Sequence, residues 1–502
     1  MPPALTSVIK AYDVRGTVPD QLDATVVRAI GAAFADVVVL PEQPAGDRRA
    51  VIGHDMRPSS PELVRAFADG IASRGVDVVL IGLASTDGLY YASGALGVPG
   101  AMFTASHNPA RYNGIKMCRA GARPVGQDSG LSAIRELAQS WLDAGQVPVP
   151  AATTPGSITE RDVLADYAAH LRSLVDLSGI RPLKVVVDAG NGMAGHTVPA
   201  VLGTAAGLAG LPLEVVPLYF ELDGTFPNHE ANPLEPANLR DLQAAVPAHG
   251  ADLGLAFDGD ADRCFVVDER GEPVSPSAVT ALVAEREIAK ESAAGRTAVV
   301  IHNLITSRAV AEIVTERGGT PVRTRVGHSF IKERMAAEGA VFGGEHSAHY
   351  YFRDFWSADT GMLAALHVLA AVGEQERPLS QLGARYERYV ASGEINSTVA
   401  DAAAVSAFVV DVVTAEARAR GEDLEVDRLD GVTVTHPGGE AGPMWWFNLR
   451  ASNTEPLLRL NAEGADAATM QRVRDRVLAL VRGEDAGSLP VPAGAAGAEG
   501  AS

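Results

Sequence analysis

Helical patterns that end in glycine, each followed by a short apolar run, recur along most of this chain. The clearest cases are residues 61–74 with Gly75 and the run 76–81, residues 239–249 with Gly250 and the run 253–257, and residues 308–317 with Gly318-Gly319 and the run 321–326. Glycine just past a helix reads as a left-handed cap, and short apolar runs between breakers read as buried strands. The alternation predicts α/β layers, with polar residues gathered where strands leave the core. The repeat is one of pattern, not of identical letters, and suggests internal duplication.

The pattern breaks at the Pro/Thr/Gly-rich segment 146–156, near the strand end at 257, and at 373–378. After that its character changes. Residues 405–420 read as a helix, 432–436 and 444–450 as strands, and 467–482 as a closing helix. The predicted organisation is α/β domains at 1–150, 151–257 and 258–375, then a smaller α+β domain at 376–485. Residues 486–502, rich in Ala, Gly and Pro, are predicted to be a disordered tail.

Composition narrows the class. The 502 residues include 47% apolar residues, enough for several cores, and 62 acidic against 42 basic residues give a formal charge of −20. That balance argues against nucleic acid or an anionic membrane as the main partner, but a local basic pocket could still take a phosphorylated small molecule. Two cysteines, Cys118 and Cys264, fit a reducing compartment and no disulfide framework. No apolar core of signal-peptide type opens the chain, and no apolar stretch reaches the roughly 20 residues that span a bilayer. The expectation is a cytoplasmic protein.

The strongest candidate chemistry is Asp258-Gly259-Asp260-Ala261-Asp262-Arg263, directly after the apolar run 253–257. Crowded carboxylates are costly unless they stay solvated or hold a cation, and the small residues between them leave room for an oxygen-loving metal such as Mg2+. Whether an aspartate does the chemistry itself is open at this point. Thr104-Ala105-Ser106-His107-Asn108-Pro109 also follows an apolar run. It is either a capped polar turn or a serine presented at a strand exit, and Gly114 could return Lys116 to the same place. In Gly344-Glu345-His346-Ser347-Ala348-His349 an extended backbone would put Glu345, Ser347 and His349 on one face, suited to sugar hydroxyls; the plain alternative is a polar edge strand. Arg450 to Pro456, with Arg459 nearby, combines a guanidinium with turn donors that suit a phosphate, or is an ordinary hairpin loop. Near the N-terminus, Arg15 before Gly16 could reach a phosphate. Gly190 to Gly195 matches a dinucleotide-binding pattern, but no acidic residue stands where the ribose contact requires one, so tight strand-to-helix packing is the reading.

Residues 104–109, 258–263, 344–349 and 450–456, taken together, closely resemble the α-D-phosphohexomutases, the phosphomannomutase/phosphoglucomutase group. They occur in the family's order, one per predicted domain. The resemblance implies three similar α/β domains with mixed sheets and a smaller C-terminal α+β domain, heart-shaped with a central cleft that the last domain closes. It implies that Ser106 is a phosphoserine and that Ser106, Asp258, Asp260 and Asp262 hold Mg2+. Lys116 becomes a candidate acid/base. Arg15, His107, Arg263, His328 and His349 would line the phosphoryl-transfer site. Tyr12, Glu345 and Ser347 would contact the sugar, and Arg450, Ser452, Asn453, Thr454 and Arg459 the substrate phosphate. One departure is Leu304, where some bacterial relatives carry lysine. The implied reaction interconverts mannose 6-phosphate and mannose 1-phosphate through a hexose 1,6-bisphosphate, with glucose phosphates as second substrates and a monomer or homodimer as the working form. The alternatives are a phosphoglucomutase or phosphoglucosamine mutase and, more remotely, an aspartyl-phosphate phosphatase with Asp258 as nucleophile.

Overall fold

The capped helices and apolar strands assemble into one layer design used three times. The computed structural model describes residues 4–10, 12–148, 154–440, 442–452 and 456–483; the expected disordered tail at 486–502 lies outside them, as do Asn453 and Thr454. The chain forms two compact units, Met1–Glu387 and Arg388–Ser502.

The first unit holds three mixed sheets. The first contains β1 (Val14–Thr17), β2 (Arg49–His54), β3 (Asp77–Leu83), β4 (Gly100–Phe103), β5 (Tyr112–Arg119), β6 (Arg123–Pro124) and β7 (Ile158–Glu160). The second contains β8 (Leu183–Asp188), β9 (Leu213–Leu218), β10 (Leu253–Phe257), β11 (Cys264–Asp268) and β12 (Pro273–Val274). The third contains β13 (Val299–Asn303), β14 (Thr320–Thr324), β15 (Phe342–Gly344), β16 (Tyr350–Phe352) and β17 (Ala358–Asp359). Their spatial orders share one core: β5-β4-β2-β3, β11-β10-β8-β9 and β16-β15-β13-β14. In each, three strands run parallel and the fourth returns antiparallel. Three candidate loops of this unit sit in that hairpin: 104–111 between β4 and β5, 258–263 between β10 and β11, 345–349 between β15 and β16.

Three expectations change. Helices Ser60–Ala72 and Arg308–Glu316 follow the first parallel strand of their layers, whereas Arg240–His249 follows the second, so the middle member of the sequence repeat is one βα step out of phase. The boundary expected at 257/258 falls inside a hairpin, because Phe257 pairs with Cys264 in one sheet. The boundary expected at 375/376 falls short of Glu387, since Ser380 N still donates to Glu269 Oε2 at 3.0 Å.

A fourth concerns apolar length. Residues Ala24–Glu42 form one 19-residue helical stretch with mean hydropathy 1.7, long and apolar enough to cross a membrane. Its apolar face is packed in the core of the first layer, where Val27, Ile30 and Phe34 are fully buried. Helix Ser60–Ala72 crosses it closely: a Cβ at Gly31 would strike the Phe67 carbonyl and one at Gly70 the Arg28 carbonyl.

The second unit is an antiparallel sheet of β18 (Val390–Thr398), β19 (Glu425–Asp427), β20 (Val432–His436), β21 (Trp445–Ala451) and β22 (Leu457–Gly464), ordered β18-β22-β21-β20-β19. Helices Ala402–Ala419 and Ala467–Arg482 cover a core built on Val409, Val434, Phe447 and Val477.

Candidate functional site

The loop after β4 is set by backbone contacts. Thr104 Oγ1 accepts from Ser106 N at 2.9 Å, and Ser106 adopts φ 48°, a left-handed conformation that costs a non-glycine residue energy. Its Oγ, at a residue only 5% exposed, donates to Asp258 Oδ2 at 2.9 Å and lies 3.2 Å from His107 Nδ1. Arg57, fully buried, donates to the carbonyls of Ser106, Asn108, Pro109 and Tyr112 at 2.7–3.0 Å. Arg15 reaches the same loop through the Ala105 carbonyl at 3.1 Å and the Asn108 side chain.

The loop after β10 is set by charge. Arg263 Nε donates to Asp258 Oδ2 at 2.8 Å. Lys116, on β5 of the first layer, donates to Asp260 Oδ2 at 2.7 Å and Asp262 Oδ2 at 2.6 Å. Thr86 Oγ1 adds a second contact to Asp260 at 2.6 Å. Gly259 lies against the Ser106 carbonyl, and Gly192 of the Gly190–Gly195 turn lies against the Gly259 carbonyl. The glycine-rich turn is therefore a packing element, as expected, and its Met193 N donates to Gly259 O at 2.9 Å.

Oxygen atoms of Asp258, Asp260 and Asp262 lie within 4.8 Å of one another. Oδ1 of Asp260 and Oδ1 of Asp262 are buried without a hydrogen-bond partner. Two orphaned carboxylate oxygens in a set of hard oxygen donors fit a hard divalent cation, so the cluster can hold a metal ion. Burial pushes the Asp258 carboxyl up to about 7 against the pull of Arg263. Burial also opposes ionisation of Asp260, but Lys116 and Thr86 outweigh it and hold that carboxyl well below the usual range. Lys116 in turn is disfavoured as a cation by burial, yet its two aspartates keep it protonated well past its ordinary value. Paired this way, it stays protonated and supplies fixed positive charge. Burial, then Arg263 and Arg15, depress His107 to about 3, so its ring is neutral and accepts from Arg263 at 2.7 Å.

The third hairpin meets the second through a backbone bridge between Arg263 and His349. Residues 345–349 are not extended, contrary to the alternation argument: Ala348 N donates to Glu345 O at 3.1 Å and Ala348 takes φ 66°, so the segment is a tight turn. Glu345 is buried, its two carboxylate oxygens accepting from Asn303 at 2.9 Å and Tyr351 at 2.6 Å, while Ser347 is half-buried in the turn. His349 Nδ1 lies 3.1 Å from Asp359 Oδ2, and Lys332, itself buried, pairs with Asp359 at 2.7 Å. Burial lowers the His349 pKa, but Asp262 and Asp359 raise it further, and the balance is upward. A cavity of about 50 Å³ is lined by Tyr12, Lys116, Asp262, His349 and Asp359. His328 opens helix His328–Glu338, and its side chain lies outside the described residues. Leu304 is a buried apolar residue.

In the second unit, Arg450 and Arg459 face each other directly across β21 and β22. Like charges in that register repel. Glu394 sits by both, 3.7 Å from Arg450 and 3.1 Å from Arg459, and among the described residues this leaves one net positive charge. Among the described residues, neither buried Nε atom has a hydrogen-bond partner. Ser452 N closes the hairpin onto Leu457 O at 2.8 Å. This is an anion-seeking arrangement at the base of the predicted phosphate loop.

Four family descriptions match the chain in order. Residues 6–143, 165–271 and 275–389 match the phosphoglucomutase/phosphomannomutase alpha/beta/alpha domains I, II and III, and 394–480 match the C-terminal domain of the same family. The phosphomannomutase of Salmonella typhimurium is 40% identical over 471 residues, covering 93% of this chain and 97% of that protein. The chain belongs to the phosphoglucomutase/phosphomannomutase family. A phosphohexose mutase of Xanthomonas campestris is 41% identical over 477 residues, 94% of this chain and 99% of that protein. A crystal structure of a phosphoglucomutase/phosphomannomutase family protein from Burkholderia thailandensis superposes with a TM-score of 0.81 at 33% identity, covering 96% of this chain and 98% of that one.

As a phosphoglucomutase/phosphomannomutase family member, the chain brings together in its first unit Ser106, His107, Lys116, Arg15, Arg263, His349 and the three aspartates. Arg57, Thr86, Lys332 and Asp359 belong to the same neighbourhood and escaped the sequence reading. Arg57 alone had a usable signal: it follows β2 in Asp55-Met56-Arg57-Pro58-Ser59-Ser60, another polar strand exit.

Proposed function

We propose that this chain is a phosphomannomutase that interconverts mannose 6-phosphate and mannose 1-phosphate, with glucose phosphates as second substrates. The observation that carries the reading is Ser106 Oγ, held in a strained turn 2.9 Å from a carboxylate of the aspartate cluster. Phosphoserine at this position would transfer its phosphoryl group to the free C1 or C6 hydroxyl of a hexose phosphate. The P–Oγ bond breaks, a P–O bond to the sugar forms, and the proton lost by the sugar hydroxyl is balanced by the one gained at Ser106 Oγ. The resulting hexose 1,6-bisphosphate then returns its other phosphoryl group to Ser106. Such transfers depend on positioning and on neutralising charge.

Asp258, Asp260, Asp262 and Ser106 would hold Mg2+, which when bound supplies charge neutralisation at the transferring group. Lys116 and Arg263 orient the aspartates and supply fixed positive charge. Neutral His107 fixes the Arg263 guanidinium. Asp359 orients His349 beside the cavity that Tyr12 and Lys116 share, and Glu345, fixed by Asn303 and Tyr351, would face the sugar hydroxyls with Ser347. In the second unit, Arg450, Arg459 and Ser452, with Asn453 and Thr454, would hold a phosphate. The preference for mannose is supported by the name of the Salmonella relative.

A substrate panel tests the reading. Mannose, glucose and glucosamine 6-phosphates are compared with Mg2+ and a trace of hexose 1,6-bisphosphate, the phosphoenzyme being mapped in parallel. The reading expects the largest kcat/KM for mannose 6-phosphate and an acid-stable phosphate on Ser106. A hydroxylamine-labile phosphate on Asp258 would instead support the phosphatase alternative.

A further inference from the structure

The guanidinium of Arg57 has five N–H donors, and all five are engaged. Nε meets Asp55 Oδ2 at 3.2 Å; one terminal nitrogen serves the Pro109 and Tyr112 carbonyls at 3.0 and 2.9 Å, and the other the Ser106 and Asn108 carbonyls at 2.9 and 2.7 Å. The Phe226 ring lies 5.2 Å from the guanidinium carbon, and the whole side chain is buried. These contacts fasten a turn whose nucleophile stands at φ 48°. A side-chain-bearing residue stays in that region only when its surroundings over-determine it. Thr104 holds the amide side of Ser106, and Arg57 holds the carbonyl side.

We propose that Arg57 is a positioning residue for phosphoryl transfer: it gathers four carbonyls of the 106–112 turn onto one planar fork and so aims Ser106 Oγ at the aspartate cluster. The proposal rests on Ser106 as the phosphate carrier. Arg57 acts through the backbone of the turn. Lysine would keep the charge, but three donors on one atom cannot serve four diverging carbonyls and a carboxylate.

The test is Arg57→Lys in the full chain, with three readouts: steady-state kinetics, single-turnover transfer from hexose 1,6-bisphosphate to dephosphorylated Ser106, and hydrogen exchange. Misplacement of a reacting atom lowers the rate with little effect on remote binding. The expected result is a kcat lower by about tenfold to a hundredfold with KM within about threefold. The single-turnover rate falls by the same factor, and faster exchange is confined to amides 105–113. A purely structural role would loosen the first layer generally and leave the folded fraction fully active. Wild-type kcat, or wild-type phosphorylation of Ser106, in folded Arg57→Lys overturns the proposal. Should that variant fail to fold, Phe226→Ala decides, because it bares one face of the guanidinium to water and so weakens the hydrogen bonds on which the clamp depends. A kcat reduced about twofold to fivefold at unchanged KM supports the proposal, and an unchanged kcat overturns it. Ser106→Ala, run alongside, separates the two readings. Full activity there defeats the phosphoserine reading itself, whereas inactivity there with intact Arg57→Lys defeats only the clamp.

Discussion

The β4–β5 and β10–β11 loops occupy the same slot in two copies of one layer, and they are held in opposite ways. The first turns its main-chain carbonyls inward onto Arg57 and offers one neutral hydroxyl. The second turns three carboxylates inward and depends on Lys116 and Arg263 to balance them. Lys116 is carried by β5, the strand that follows the first loop, so the first layer supplies the counter-charge of the second. The slot fixes where chemistry occurs, and the side chains placed in it decide whether the loop reacts or holds a cation.

Removing the Ser106 hydroxyl breaks the comparison most severely. Ser106→Ala is expected to lower turnover on the order of 10⁴-fold with the fold intact, measured by 31P NMR of hexose phosphate interconversion. Residual turnover near the wild-type level would assign the reaction to another group. Next, Asp260→Asn deprives Lys116 of one partner and the cluster of one anion. Activity should fall about a hundredfold, and the Mg2+ concentration for half-maximal activity should rise at least about tenfold, read from a metal titration of the apo-enzyme.

The third slot sharpens the contrast, because its charge is held by a pair. Asp359→Asn leaves Lys332 buried without its partner, and the expected loss is roughly 3–5 kcal/mol in urea unfolding. A loss under about 1 kcal/mol would mean that the lysine reaches water or another anion.

The most gradual effect is acid sensitivity in the same layer. Burial holds His302 at about 4; burial, then Arg286 and Lys290, hold His367 at about 3, against an ordinary value of 6.5. The unfolded chain takes up protons below about 6.5 that the fold refuses, so the stability from neutral burial is complete above that pH. It should be lost progressively as pH falls toward 4, by up to roughly 1.4 kcal/mol per pH unit for each histidine. Denaturant midpoints between pH 7.5 and 5 check the slope, and His302→Asn with His367→Asn should flatten it.

Much of this was legible from local patterns. Three carboxylates in five residues and a serine at a strand exit are short-range signals, and the structure brings the two together, Ser106 Oγ donating to Asp258. The order of layers was less legible, because the first and second helices of a layer share one glycine-capped pattern and the middle repeat slipped by a step. Charge at 258–263 marked a loop correctly but not a domain end, since the strand after it pairs back into the same sheet. The 345–349 turn was hidden because its left-handed position is Ala348, not glycine, and alternating polar residues look extended. Lys332 and Asp359 matter through each other, and no local window contains both.

The Arg57 clamp touches carbonyl oxygens, which every amino acid presents alike. Side chains along 107–112 can therefore change without removing a single acceptor from the guanidinium. An enzyme built this way can alter the rim of its reactive turn, and with it the sugars that fit, while the aim of the serine stays the same. Mutational tolerance in that turn and intolerance at Arg57 are two sides of one geometry.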